Sequence, residues 1–368
     1  MITGNIYQIP FLCIMEVDYL VLGQGIAGTL LSNELLNAGA SVIVIDDGDP
    51  CSSSLTCGGI INPVTGKRLV TSWMIDQLLP FAGTVYKKWE TKLGVPLIKN
   101  CDVLDFHASQ ESQAGFESKI EPDNAYLYKI ADETHWRQYF RFNYGIGGIS
   151  RCLIIDTIAL INGWKTKLIE NGLLLRAKFD WTDLKIAGGG VEYKDLRAKK
   201  IICCEGAVAE NSPFFKMLPW SKDKGEALIV AIPGLPEDFI FKQGIGIVPK
   251  GNGLFWVGAT HDWKYTDLQP TKAFRDKTIE QLDYWLRLPY TILDHVVARR
   301  PANFDRKPFV GLHPVHPEIA ILNGMGGKGC SFAPFFASQL ARNLISGAPI
   351  LPDANVSRFS KMLLRNSV

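Results

Sequence analysis

A glycine triplet with the spacing GxGxxG, Gly23-Gln24-Gly25-Ile26-Ala27-Gly28, constrains this chain more than any other stretch, because of what flanks it. Before it, residues 18–22 (DYLVL) form a short apolar run that reads as a buried parallel strand. After it, residues 29–39 (TLLSNELLNAG) place Leu31 and Leu35 one turn apart and end on Gly39, a helical pattern with a glycine stop. Residues 41–45 (SVIVI) are a second, β-branched strand that runs into Asp46 and Asp47. A strand–loop–helix–strand unit therefore fits into about 30 residues, the span such a unit needs.

Each glycine has a physical task in that unit. Gly23 permits the tight turn off the strand, Gly25 lets a pyrophosphate reach the backbone, and Gly28 lets helix and strand pack closely. The unpaired N–H groups at the helix start then face the phosphate. Asp46 is suited to accept hydrogen bonds from ribose hydroxyls, and its charge disfavours a 2′-phosphate. The triplet alone does not separate FAD from NAD, but the remaining order of the chain does. An NAD dehydrogenase would complete a contiguous sheet first. Here a Ser/Gly-rich segment, residues 51–71, follows the second strand, and a further glycine loop, residues 324–329, opens the last long helix.

Between those segments the pattern changes character. Residues 72–93 read as a helix bent at Pro80, residues 136–144 as an aromatic-rich strand, residues 156–170 as an amphipathic helix and residues 200–204 (KIICC) as a buried strand. From Gly225 to Thr260 three apolar runs alternate with Gly/Pro turns, the signature of antiparallel sheet. A helix over 271–286, a strand over 319–322 and a helix over 331–345 follow, with Pro334 expected in the tolerant first turn of the last one.

The balance of 39 Lys plus Arg against 37 Asp plus Glu leaves no basic footprint for nucleic acid. None of the eight cysteines has zinc-ribbon spacing, so no metal site is expected and the thiols read as reduced and mostly buried, in the cytoplasm. No apolar run is long enough to span a membrane. The first residues lack the basic start and cleavage site of a secretory signal, and residues 1–14 read as an extension ahead of the first strand.

The ordered set VLGQGIAG, SSSLTCGGIINP, IICCEGA, FWVGATHD, ARRPANFDRKPFVGLHP and NGMGGKGCSFAP resembles the D-amino acid oxidase, glycine oxidase and sarcosine oxidase (DAO) family of FAD-dependent oxidoreductases over nearly the whole chain. The last blocks are most similar to the oxidoreductase domain of the bifunctional bacterial enzyme that modifies the tRNA wobble uridine. The chain departs from that relative in Lys328, where the relative has arginine, and in its near-neutral charge.

The resemblance implies an α/β fold, α+β overall: a Rossmann-like FAD-binding domain (15–85, 150–222 and 300–350) interrupted by a β-sheet-rich substrate domain (86–149 and 223–299). It implies that Gly23, Gly25 and Gly28 hold the pyrophosphate of a non-covalently bound FAD and that Asp46 and Asp47 face the adenosine ribose. Ser53, Ser54 and Gly59 would lead toward the flavin, Gly206 would lie near the dinucleotide, and Gly327, Lys328, Gly329, Cys330 and Ser331 would sit by the isoalloxazine ring. Arg300 matches the arginine that pairs with a substrate carboxylate. Adjacent residues of an extended segment point to opposite sides, so Arg299 should face elsewhere. A helix start by the ring would stabilise negative charge on the reduced flavin, and Lys328 would add a full positive charge. His261 reads either as a substrate-facing group or as a turn residue. The expected reaction is C–N oxidation of a small amine or amino acid bearing a carboxylate, by hydride transfer to flavin N5, with oxygen or another acceptor taking the electrons. A stand-alone tRNA wobble-uridine oxidase and a flavin-binding protein without turnover are the alternatives.

Overall fold

The computed structural model describes residues 14–66, 68–120 and 125–364. All but Ile14 of the expected extension, and Lys67, lie outside the described residues. In chain order the site is framed first by β1 (Met15–Leu22), α1 (Ile26–Asn37), β2 (Val42–Asp46), α2 (Ile75–Leu93), α3 (Thr157–Glu170) and β3 (Leu196–Cys203). Then come β4 (Lys224–Ala231), β5 (Leu254–Gly258), α4 (Lys272–Trp285), β6 (Thr291–Arg299), β7 (Ile319–Asn323) and α5 (Gly329–Ser346).

The apolar strands assemble as a parallel sheet in the order Leu174–Arg176, β2, β1, β3, β7. Leu20, Val21, Val44, Ile202 and Ile321 are fully buried in it, as a strand covered on both faces requires. The leucines of α1 pack with Phe336 and Leu340 of α5 over one face. Strand β1 is longer than the apolar run alone, since its polar first half pairs with β3 back to Met15. A second sheet of eight strands holds β6, β4 and β5 at one end, and at the other the strands Val103–Phe106, Ile146–Ile149 and Leu127–Lys129. Helix α4 closes it, with Phe274, Leu282 and Trp285 packed against Phe106, Phe140 and Phe241. Thr271 caps that helix by accepting from the Phe274 N–H.

Two local expectations are corrected. Residues 136–144 do not form a strand: Thr134–Gln138 is a 3-10 helix, and Trp136, Phe140 and Phe142 turn into the aromatic core. The Arg141 guanidinium instead donates to the Asp283, Tyr284 and Leu286 carbonyls, satisfying the end of α4. Helix α5 starts at Gly329, two residues earlier than the pattern suggests, so Pro334 lies beyond its first turn. A proline there supplies no N–H to the carbonyl four residues back, that of Cys330. The Tyr86 hydroxyl of α2 donates to that carbonyl at 2.8 Å. One buried hydrogen bond thus repairs the helix and ties α2 to it; leaving such an acceptor unpaired costs about 1–3 kcal/mol. Among the described residues, no helix is long and apolar enough to cross a membrane.

Candidate active site

The C-terminal ends of β1 and β2 and the turn after β3 open into a cavity of about 590 Å³, walled on the other side by residues of β4, β5 and β6 and by the start of α5. A ligand crevice beyond the carboxyl ends of parallel strands is the expected position in such a sheet.

At one end lies the glycine triplet, with Gly23 and Gly25 lining the cavity. Gly23 has φ +89°, and a Cβ there would lie 2.6 Å from the Cys204 carbonyl oxygen. A Cβ on Gly28 would lie 1.9 Å from the Gly23 carbonyl oxygen, so Gly28 serves packing and does not itself line the cavity. No side chain caps α1 from Gly25. Ser54 Oγ accepts from the Ile26 N–H at 3.1 Å, and the next amides of that first turn are left for a ligand. Asp46 is already oriented: Oδ2 accepts from the Gln24 N–H at 2.7 Å and Oδ1 from the Gly48 N–H at 2.9 Å. Each oxygen keeps a second lone pair, so the carboxylate can still receive hydroxyl donors. Asp47, Ser53, Ser54, Gly59 and Gly206 all line the same cavity. Gly59, with φ +75°, has no room for a Cβ, which would fall 2.1 Å from the Ile155 carbonyl oxygen.

At the other end Gly327, Gly329 and Cys330 line the cavity, and α5 has no side-chain cap. Its first amides therefore present partial positive charge there. Lys328 and Ser331 are not among the residues that line it. Lys328 is the N-cap of α5, and its ammonium lies 5.9 Å from the centre of the Phe332 ring, one turn along the helix. Burial, with Arg306 adding to it, holds its pKa below the usual lysine range. The Ser331 hydroxyl donates back to the Lys328 carbonyl.

Both adjacent arginines line the cavity, against the expectation that Arg299 faces elsewhere, and they make separate ion pairs. Arg299 Nη1 donates to Glu210 Oε1 at 2.6 Å; Arg300 Nη1 donates to Asp223 Oδ1 at 2.8 Å and to the Thr260 carbonyl at 3.0 Å. Nε and Nη2 of Arg300 have no partner among the described residues, and the side chain lines the cavity. Gly225 lies beneath it, where a Cβ would come within 2.1 Å of Nη2. His261 Nδ1 is 3.0 Å from Asp223 Oδ2, so Arg300, Asp223 and His261 form one cluster. Trp263 is largely exposed and stacks on His261, whereas Trp256 lines the cavity and donates Nε1–H to the Thr56 carbonyl.

Several lining groups carry no signal in the sequence. Lys165, from α3, reaches within 3.9 Å of Asp46. Glu205 follows β3, and its Oε2 is buried without a partner among the described residues. Burial pushes this carboxyl up to about 7, against the pull of hydrogen bonds from Cys203 and Trp181. Between the unfolded value of 4.5 and that raised value, the folded chain holds a proton the unfolded chain has lost, so this residue's contribution to stability falls as pH rises through that window. In thermal melts, Glu205→Gln is expected to exceed the parent Tm at about pH 8 and to approach it near pH 5. Equal Tm differences at both pH values would contradict the assignment.

A model of the FAD dependent oxidoreductase family, DAO, matches residues 18–343. The tRNA 5-methylaminomethyl-2-thiouridine biosynthesis bifunctional protein of Caulobacter vibrioides is 24% identical over 349 residues, 90% of this chain and 55% of that protein. The chain thus spans about half the length of that relative. Among solved structures, the iminodiacetate oxidase of Chelativorans superposes with a TM-score of 0.75 at 20% identity, over 91% of this chain and 97% of that one. The glycine oxidase of Geobacillus kaustophilus gives 0.74 at 15% identity, over 91% and 96%. The L-proline dehydrogenase of P. horikoshii gives 0.74 at 18% identity, over 96% and 98%. At these identities the structural likeness establishes a shared fold.

Proposed function

We propose that this chain, which belongs to the family of FAD-dependent oxidoreductases, oxidises the C–N bond of an amino acid or N-substituted amine that carries a carboxylate. The observation that carries this reading is Arg300. Its free guanidinium edge shares one cavity with a glycine cradle and an uncapped helix start.

The residues fit the cofactor. The backbone about Gly23 and Gly25 would hold the pyrophosphate, with Gly28 seating the helix behind it, and Asp46 and Asp47 would hold the adenosine ribose. Ser53, Ser54, Gly59 and Gly206 would line the way to the ring, with Gly327, Gly329 and Cys330 beside it. Bound there non-covalently, FAD would supply a two-electron acceptor for the oxidation. Arg300 would grip the substrate carboxylate through Nη2 and Nε, the charge-assisted geometry that orients an α-carbon. Asp223 fixes the opposite edge of that guanidinium, so the grip is set before substrate arrives. Amides at the start of α5 would stabilise negative charge that develops on the ring. That task falls to the backbone, since the Lys328 side chain turns toward Phe332. The Asp223 carboxylate accepts from His261 Nδ1–H, which leaves Nε2 as the ring nitrogen that would face a ligand as an acceptor. Trp256 keeps water from the wall it covers.

The Caulobacter relative, named for biosynthesis of tRNA 5-methylaminomethyl-2-thiouridine, supports a second reading, a modified tRNA uridine as substrate. One anaerobic experiment separates the readings: the FAD-loaded protein is mixed with glycine, N-methylglycine, iminodiacetate, proline or tRNA bearing the modified uridine. Bleaching of the visible flavin band by a free amine supports the first reading, and bleaching by tRNA alone supports the second. A band that none of them bleaches would leave a flavin-binding protein without turnover. Reoxidation by air or only by an added dye then identifies the electron acceptor.

A further inference from the structure

Strand β4 contains a glycine that its backbone does not require. Gly225 pairs in register with Ala298 of β6 and has ordinary strand backbone, where glycine weakens a strand because it loses more conformational freedom than other residues. The space of its missing side chain is taken by Arg300. A Cβ at Gly225 would lie 2.1 Å from Nη2, 2.5 Å from Cζ and 2.8 Å from Nη1 of that residue, so the guanidinium rests on bare backbone. Arg300 follows Ala298 by two residues and therefore projects from the same side of the sheet as Gly225.

The strand beneath that guanidinium is not free to yield. Lys224 and Glu226 point to the opposite face, and both are buried there. The Lys224 amide donates to the Asp262 carbonyl and its carbonyl accepts from the Asp262 amide, both at 2.9 Å. The Lys224 ammonium donates to the Gln269 carbonyl at 2.6 Å. Glu226 Oε2 accepts from the Thr271 N–H at 2.6 Å, and Oε1 accepts from the Thr271 hydroxyl at 2.9 Å. Strands β5 and β6 hold β4 on its two edges. The guanidinium, by contrast, is the far end of a flexible side chain. A methyl at position 225 therefore displaces the guanidinium and leaves the strand in place. Displacement pulls Nη1 away from Asp223 and from the Thr260 carbonyl.

We propose that Gly225 is a positioning residue for the carboxylate grip: its missing side chain is the seat of the Arg300 guanidinium, and that seat sets where the edge carrying Nε and Nη2 is aimed. This role rests on the reading of Arg300 as the carboxylate-binding group. It sets Gly225 apart from Gly28. An added methyl at Gly28 meets backbone atoms and costs stability and cofactor; at Gly225 it meets the group that grips the substrate and costs substrate affinity.

The test uses the full-length, FAD-loaded protein and measures KM for the carboxylate-bearing amine that best bleaches the flavin and for its methyl ester. Gly225→Ala is expected to raise KM for the acid by about 10-fold or more, as loss of a well-aimed charge-assisted contact requires, and to change KM for the ester far less. Flavin content should be retained, and Tm should stay within about 2 °C of the parent. Added to Arg300→Lys, the same substitution should cost less than about two-fold, because lysine has no guanidinium to displace. An equal loss in both backgrounds would overturn the proposal, since it would mean that the strand itself had moved. So would an unchanged ratio of acid to ester KM, or a Tm several degrees lower with FAD lost. An Arg300→Lys protein with the parental KM for both compounds would instead refute the reading of Arg300, and the seat with it.

Discussion

Gly28→Ala should yield a protein that no longer retains FAD through gel filtration and that melts several degrees lower than its parent. The added methyl would sit 1.9 Å from the Gly23 carbonyl oxygen and 3.0 Å from its carbon. Both are backbone atoms of the turn, so no side chain can swing aside. Relief requires α1 to lift from the end of β1, which displaces the amides that would hold the pyrophosphate. Overpacking of this kind costs about 1–3 kcal/mol, and a loss of about 1.4 kcal/mol in cofactor binding alone is ten-fold in affinity. Gly83→Ala is the control: it lies within α2 with nothing within 4 Å of the added Cβ, and alanine there should be neutral or stabilising by up to about 1 kcal/mol. Flavin content per chain and thermal melts of the two variants test the claim. Full FAD retention by Gly28→Ala would show that the close approach is not required.

Substitution of Arg300 is expected to have the second large effect, and the choice of replacement decides what is learned. Asp223 is only 5% exposed, and Arg300 is the arginine or lysine that pairs with it among the described residues. Arg300→Ala would leave that carboxylate without its guanidinium, a change that costs about 3–5 kcal/mol for buried pairs and would blur any kinetic reading. Arg300→Lys keeps a charge for Asp223 but has no second edge to offer a carboxylate. It should raise KM for a carboxylate-bearing amine by about 10–100-fold, the worth of a charge-assisted bidentate contact, with FAD content retained. The ester of the same amine should be far less affected. A KM unchanged for both compounds would remove Arg300 from the substrate site.

The parts of this site that were legible in the sequence are those where a backbone constraint and a motif coincide. Gly23, Gly28 and Gly59 are each glycine because a methyl would meet a backbone carbonyl oxygen, and local spacing carries that information for the first two. Partners distant in the chain were not legible. Asp223 and Arg300 are 77 residues apart, and nothing near either residue signals the pair; Lys165 reaches Asp46 only because α3 packs behind the first strand–helix unit. The early start of α5 escaped because Gly329 and Cys330 carry no capping signal, and the turn is held by Tyr86 instead. The Lys328 side chain follows from that shift, since a residue at the N-cap leans over the next turn. Aromatic density at 136–144 suggested a strand because aromatic residues favour strands, yet these rings fill the core under α4.

The central claim is that one cavity joins an FAD cradle to a carboxylate-binding arginine, and anaerobic titration of the FAD-loaded protein with the best carboxylate-bearing amine tests it most directly. The account predicts that about one equivalent of amine bleaches one flavin, and that removing the carboxylate from the amine abolishes the reduction at the same concentration. A flavin reduced equally well with and without the carboxylate would contradict it, as would a purified protein that takes up no FAD.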